Sequence, residues 1–181
     1  MMNILQPQEP VQRLLADLLS EDKQMRHYAR IAIEQLGSPA TPGLVELLSS
    51  GNARARLEAV NALNAIRDPA SAPALVAAME DENPGVRWIA AQALRSMGRH
   101  GLVAVLEQLI NPSCSVWQRE GAHHVLSGYR RVQVMARVLA ALDGIEPRYD
   151  AAIAAEGALE ELDREARQHE KDKTIPHLRP H

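Results

Sequence analysis

The feature that most constrains the fold is an internal repeat of about 31 residues. Four arginines mark it at intervals of 30, 31 and 32 residues: Arg26, Arg56, Arg87 and Arg119. Three positions after each arginine stands an alanine, and seven positions after each stands isoleucine or leucine. A single unit this short cannot bury its own apolar face, so such units are stable only when they stack in a row.

The spacing of apolar residues within each repeat predicts a helix. Counted from the arginine, the apolar positions fall at −1, +3, +6, +7 and +10, which form one stripe at 3.6 residues per turn and match no strand pattern. Four positions before each arginine stands a residue that can accept a hydrogen bond from the free N–H groups of a first helical turn. These predicted N-caps are Asp22, Asn52, Asn83 and Ser115.

A second, shorter helix is predicted between these longer ones. Apolar segments begin at Leu44, Leu75 and Leu106, which are 31 residues apart. Ser38-Pro39 and Asp68-Pro69 each read as a cap followed by proline at the first helical position. Each repeat is therefore a helical hairpin, and we predict an all-α fold: a right-handed α-solenoid, or superhelix, of about five hairpins.

The predicted solenoid forms one domain over residues 1–163. Its units fall at about 8–36, 38–67, 68–98, 99–129 and 130–163, with the looser first and last units acting as caps. Residues 164–181 are charged and lose the periodicity. We expect this C-terminal tail to be extended or partly disordered.

One segment carries a resemblance to a known family. The run from Val86 to Leu94, followed by Met97-Gly98, resembles the signature of the short HEAT-like repeats found in phycobilisome lyase-type proteins. Residues 22–37 and 52–68 look like the same unit, so the resemblance covers roughly residues 20–130. It implies a HEAT/armadillo-like solenoid in which the repeated arginines hydrogen-bond turn carbonyls or acidic side chains of neighbouring repeats. The fourth unit departs from the pattern, with Gln118 at an apolar position and no terminating glycine.

Composition narrows the classes of function. The net charge is −3, which disfavours binding to nucleic acid. The single cysteine, Cys114, fits a reducing compartment, and no segment is long and apolar enough for a signal peptide or a membrane span. We therefore expect a cytoplasmic protein that does not bind a membrane. The histidines lack metal-ligand spacing, and no catalytic motif or phosphate-binding loop is present, so we predict no metal, no cofactor and no catalytic residue.

Partner-binding candidates are residues that vary between repeats while sharing one helical face. Offsets +1, +5 and +8 from each arginine meet this condition. Among the residue types at these offsets, tryptophan and arginine are enriched in binding hot spots. The hypothesis places Trp88 and Arg95 at the centre of a partner groove on the concave side, flanked by Asn61, Asn64, Gln92 and His124. The alternative is that Trp88 packs between repeats and that the amides are only solvated. The four arginines recur with the fold and are interpreted as a structural ladder between neighbouring units, stabilised by charge-assisted hydrogen bonds.

Three classes of function stay open from the sequence. The first is a non-enzymatic scaffold or adaptor that binds a protein or peptide. The resemblance also allows a lyase-like or chaperone protein that handles a bilin on an antenna protein, and a bound bilin would absorb visible light. The third class is a DNA-binding HEAT-like protein, for which a basic concave face is expected; Glu34 and Glu120 on the candidate face argue against it.

Overall fold

The computed structural model describes residues 9–174, and the described part of the chain is helical throughout, with no β-strand. The helices occur as consecutive pairs joined by tight turns. Their bounds are α1 (Glu9–Leu18), α2 (Lys23–Leu36), α3 (Thr41–Leu47), α4 (Ala53–Ile66), α5 (Ala72–Ala78), α6 (Pro84–Ser96), α7 (Arg99–Ile110), α8 (Val116–Ser127), α9 (Gln133–Leu142) and α10 (Pro147–Thr174). Short 3₁₀ turns, Ser38–Ala40 and Pro69–Ser71, precede α3 and α5.

The first four hairpins stack in sequence order as two rows. In the second-helix row, α2, α4, α6 and α8 pack side by side. In the first-helix row, α1 packs on α3, α3 on the 3₁₀ turn before α5, and α5 on α7. Stacked rows of this kind are the architecture of an α-solenoid, which confirms the predicted all-α fold class. Its right-handed sense stays a prediction.

The helix starts follow the predicted caps. The side chains of Asp22, Asn52 and Asn83 each accept from the backbone N–H two residues later, and Ser115 accepts from Gln118 N–H. Gln118 in turn accepts from Ser115 N–H, which completes a capping box. This reciprocal pairing explains the polar residue at an otherwise apolar position, since buried Gln118 also accepts from Gln108 Nε2 at 2.8 Å.

The caps of the shorter helices were predicted only in part. Asp68 does cap its unit, accepting from Ala70 N–H ahead of the 3₁₀ turn that begins at Pro69. That hydrogen bond lowers the pKa of the Asp68 carboxyl. The prediction for Ser38 was wrong, because Gly37, at φ 71°, is the N-cap and Ser38 already lies within the turn. Glycine tolerates this positive φ and can therefore both end α2 and begin the next turn.

The core is the predicted stripe, repeated along the second-helix row. The alanines at offset +3 and the isoleucine or leucines at offset +7 are at most 3% exposed in every repeat. At the first unit the stripe is more open, and Met25 and Leu36 are 45% and 38% exposed. Small alanines at the contact positions allow the helices to approach one another closely.

The fifth hairpin does not continue the two rows. α9 packs against α8, whereas α10 packs against both α9 and α7. Buried alanines of α10, Ala151, Ala155 and Ala158, lie on its inner face, and Arg99 Nη2 donates to Leu162 O at 3.1 Å. This hairpin thus caps the C-terminal end of the solenoid by a rearranged packing.

The C-terminal segment differs from expectation. Residues 164–174, expected to be extended or disordered, instead continue α10 to Thr174. The segment consists mostly of Glu, Arg, Gln, Lys and Ala, which have high helix propensity and favour continuation of the helix. The rest of the predicted tail, residues 175–181, lies outside the described residues.

Candidate partner-binding groove

The four repeated arginines each reach back to the turn that precedes their own helix. Nη1 of each donates to a backbone carbonyl five or six residues earlier in the sequence, over 2.7 to 2.9 Å. The acceptors for Arg26, Arg56, Arg87 and Arg119 are Ser20 O, Ser50 O, Asp81 O and Cys114 O, respectively. In each repeat a carbonyl of the preceding turn thus accepts a charge-assisted hydrogen bond, and Ser20 O accepts a second one from Arg54 Nη2.

A groove lies between α6 and α8, on the second-helix row. Its volume is about 250 Å³. Four of the residues that line it are small or flexible and apolar: Met79, Pro84, Ala91 and Gly121. The other lining residues are the larger side chains Arg87, Trp88, Trp117, Glu120 and His124. A volume of this size suits one or two side chains, since clefts that enclose drug-sized ligands hold about 300–1,000 Å³.

Aromatic pairs across the two helices form the walls of the groove. The ring of Trp88 on α6 lies 4.4 Å from that of His124 on α8, tilted by 49°. The guanidinium of Arg87 lies 4.5 Å from the ring centroid of Trp117. Arg87 therefore serves both the turn before its own helix and a cation–π contact to the next repeat. Even so, Trp88 and Trp117 remain 57% and 47% exposed.

The electrostatics of the groove are set by three side chains. Burial first, and then the positive charge of Arg95 and the neighbouring His123, lower the pKa of His124, so its ring is neutral near pH 7. Arg87 is already bound to backbone carbonyls. Within the described residues, no lysine or arginine nitrogen lies within 4.0 Å of the Glu120 carboxylate. Glu120 therefore has no cationic partner among the described residues. Arg87 forms no ion pair there either, but its guanidinium is held by two backbone carbonyls and by Trp117.

The structure brings together only some of the predicted site residues. Trp88 and His124 meet across the groove, and Gln92 and Arg95 are exposed on the same helix as Trp88. Arg95 lies over the end of α8, because a methyl group added to Gly128 would stand 2.9 Å from its Nε.

The two predicted asparagines are engaged elsewhere. Asn61 Nδ2 donates to Leu57 O within its own helix, at 2.8 Å. Asn64 Oδ1 accepts from Ser96 Oγ at 3.5 Å, which links α4 to α6. Both side chains are half-buried, so they support the row of helices more than they offer contacts to a ligand.

Sequence reasoning missed Trp117 and Arg87 as members of the groove, and it placed Glu120 on the candidate face without choosing it as a binding residue. Trp117 stands two positions before its repeat arginine, outside the face that was considered. A usable signal was present, because the chain has only two tryptophans and they lie in adjacent repeats.

Comparison with protein families follows this geometry. The family model for HEAT repeats matches residues 11–94 and, in a second register, residues 41–127. The chain belongs to the HEAT-repeat family. The two matches overlap as expected for a HEAT array, in which neighbouring hairpins are equivalent. No curated protein matches the chain. The phycobilisome-lyase subtype of HEAT repeat stays a prediction.

Over the described residues, no cluster of three or more histidine, cysteine or acidic side chains could hold a metal ion. Nor is any helix there both long enough and apolar enough to cross a bilayer. Cys114 is buried, and burial raises the pKa of its thiol, which disfavours the reactive thiolate.

Proposed function

We propose that this HEAT protein is a cytoplasmic, non-enzymatic adaptor that binds a segment of a partner protein along its second-helix row. HEAT repeats commonly mediate protein–protein interaction, because stacked helices present an extended, preformed surface. The observation that carries the proposal is the groove between α6 and α8, where two half-exposed tryptophans stand on adjacent repeats.

The exposure of these tryptophans supports a binding role beyond packing. Trp88 contacts His124, and Trp117 contacts Arg87, so each ring is held in place by the neighbouring repeat. Each nevertheless leaves about half of its surface open to solvent. Rigid aromatic side chains lose little conformational entropy on binding, and for this reason they dominate the energetics of many interfaces.

The neighbouring exposed residues extend the same surface. Gln92 follows Trp88 by one helical turn, and Arg95 follows Gln92 by another. These side chains supply hydrogen-bond donors next to the aromatic centre, which is the usual arrangement of an interface rim. We infer that Trp88 anchors the partner and that Gln92 and Arg95 set its register.

Site-specific photo-cross-linking tests the proposal. A benzophenone amino acid is placed at position 92, and the protein is expressed in its native cells. A matched probe is placed at position 153 on α10, where the isoleucine is 69% exposed. We expect a discrete adduct from position 92 that position 153 does not give, and its identity follows from mass spectrometry.

The dependence on Trp88 is tested with two variants. Trp88→Ala combined with Arg95→Ala should reduce the adduct more than about tenfold, since hot-spot truncations cost at least about 2 kcal/mol. Tyr149→Ala, which removes a 63% exposed aromatic from α10, is the control and should leave the adduct unchanged. Both variants should keep wild-type helicity and melting temperature. Loss of fold in the Trp88 variant would instead support a role in packing, and an unchanged adduct would refute the proposal.

A further inference from the structure

The composition of the groove indicates which kind of side chain a partner inserts there. We propose that the groove between α6 and α8 accepts a lysine or arginine side chain of the partner, with its cationic group paired to Glu120 and its aliphatic stem against Trp88 and Met79. This inference rests on the proposed function, because it names the partner chemistry of the same site.

The unpaired carboxylate is the first argument. Glu120 lies one helical turn after Trp117 and one turn before His124, so all three side chains project from the same face of α8. Two acidic side chains that are largely buried between repeats have cationic partners: Glu58 binds Arg30, and Asp81 binds Arg56. Glu120 has no such partner, and the cation that shares its groove, Arg87, is bound to carbonyls and to Trp117, so the Glu120 carboxylate is available to a cation supplied from outside.

The aromatic rings are the second argument. The protein already places one cation, Arg87, over Trp117 at 4.5 Å, which shows that this groove accommodates a guanidinium on an indole face. The positive charge of Arg87 is held at its own end of the groove by bonds to Asp81 O and Glu82 O. The space beside Trp88 and Glu120 is left for a second cation. Because His124 is neutral near pH 7, it does not repel that cation.

The size and surface of the groove are the third argument. Its volume of about 250 Å³ is large enough to hold one long side chain. Met79 and Gly121 are in close contact at its base, since a methyl group on Gly121 would overlap Met79. An apolar base of this kind suits the methylene stem of lysine or arginine, which buries its chain while the head group stays polar.

The two tryptophans make a direct test possible. Since the chain contains only two, its ¹⁵N–¹H spectrum has two indole signals, and both report from this groove. The protein is titrated with Nα-acetyl-arginine amide and Nα-acetyl-lysine amide. Nα-acetyl-norleucine amide, of similar length but uncharged, and Nα-acetyl-glutamate amide are the comparison probes. We expect saturable shifts of the Trp88 signal with the two cations, and weaker shifts with norleucine and glutamate.

A pair of glutamate variants isolates the charge. Glu120→Gln should weaken binding of the arginine probe by up to about fivefold, the range expected for an exposed ion pair. Glu107→Gln removes another exposed carboxylate, on α7 and outside the groove, and should have no effect. Matching melting temperatures establish that both variants are folded. Equal binding by wild type and Glu120→Gln would overturn the inference. So would stronger binding of the acidic probe, since that would mean that Arg87 sets the charge preference.

The outcome separates this inference from the proposed function. If the position-92 adduct persists in Glu120→Gln and no cationic probe binds, the adaptor function stands and the cation pocket is refuted. If the cationic probes bind but no adduct forms, the groove chemistry stands and the adaptor function is refuted.

Discussion

Arg56 on α4 donates from Nε and Nη2 to the two carboxylate oxygens of Asp81, at 2.6 and 3.1 Å, across the junction between the second and third repeats. Both side chains are only 8% exposed. Asp81 also accepts from Asn83 N–H at 2.8 Å, and Asn83 is the N-cap of α6. This ion pair therefore fixes the start of the helix that carries Trp88.

Breaking the Arg56–Asp81 pair should destabilise the fold more than breaking any other rung of the arginine ladder. Arg56→Met leaves the buried Asp81 carboxylate without its ion-pair partner, and Asp81→Asn leaves the buried Arg56 with only the exposed Glu82 as counter-ion. Arg26→Met, by contrast, mainly removes bonds to carbonyls. In urea unfolding, both variants should have a clearly lower midpoint concentration than Arg26→Met. The double variant should lose less stability than the sum of the two single losses. A sum that is strictly additive would show that the two side chains do not interact.

The same pair should make stability depend on acid pH. Burial tends to raise the pKa of Asp81, but the hydrogen bonds from Arg56 and Asn83 N–H outweigh it, so the folded pKa lies below the usual 3.8. The carboxylate therefore stabilises the fold fully above about pH 4, and this contribution is lost as the pH falls through the folded pKa. Unfolding free energies measured from about pH 2.5 to 6 should show this loss in wild type and a smaller one in Asp81→Asn. Parallel curves would contradict the assignment.

His124 should add a second, separate pH dependence. Its folded pKa lies below 6.5 because of burial and the charges of Arg95 and His123, so protonation favours the unfolded chain. Its contribution is complete above about pH 6.5 and falls as the pH decreases from there to the folded pKa. In an NMR titration, Arg95→Ala should move the His124 pKa back toward 6.5. His124→Gln should remove this step from the stability curve while leaving the step below pH 4. An unchanged His124 pKa in Arg95→Ala would show that the arginine does not act on the ring.

Replacing each of two helical glycines with alanine should change the stability of the fold in opposite directions. At Gly101 an added Cβ would lie 1.8 Å from Leu94 O, so α6 and α7 can cross this closely only with glycine. Gly101→Ala should cost about 1–3 kcal/mol through overpacking. At Gly157 on α10 an added Cβ would have no atom within 4 Å beyond its own helix backbone and chain neighbours, so Gly157→Ala should stabilise by about 0.5–1 kcal/mol. Thermal unfolding measures both, and a neutral Gly101→Ala would contradict the close crossing.

The sequence was most informative where a signal recurred. The caps Asp22, Asn52, Asn83 and Ser115 and the core stripe repeat at nearly constant spacing, and local hydrogen bonding and helical periodicity explain both. Both features can be predicted without knowing which helices pack against each other. Fold class could therefore be predicted from a single helix pattern and its repetition.

The features that the sequence did not predict depend on contacts between units. Trp117 joins the groove because its position in the fourth repeat faces Arg87 in the third, a relation that no single helical wheel contains. Likewise, α10 packs on α7 instead of continuing the second-helix row. Tertiary contacts such as the hydrogen bond from Arg99 to Leu162 O stabilise this packing. Asn61 was drawn into the candidate site by its face alone, although its amide bonds to its own helix.

The central claim is that the surface of α6 and α8 binds a partner protein. The most direct measurement is hydrogen exchange of the protein with and without the partner identified by cross-linking. Slowed exchange is predicted in peptides covering residues 84–96 and 116–127, with exchange unchanged in residues 147–162. Protection confined to α9 and α10, or to α1 and α3, would contradict the account.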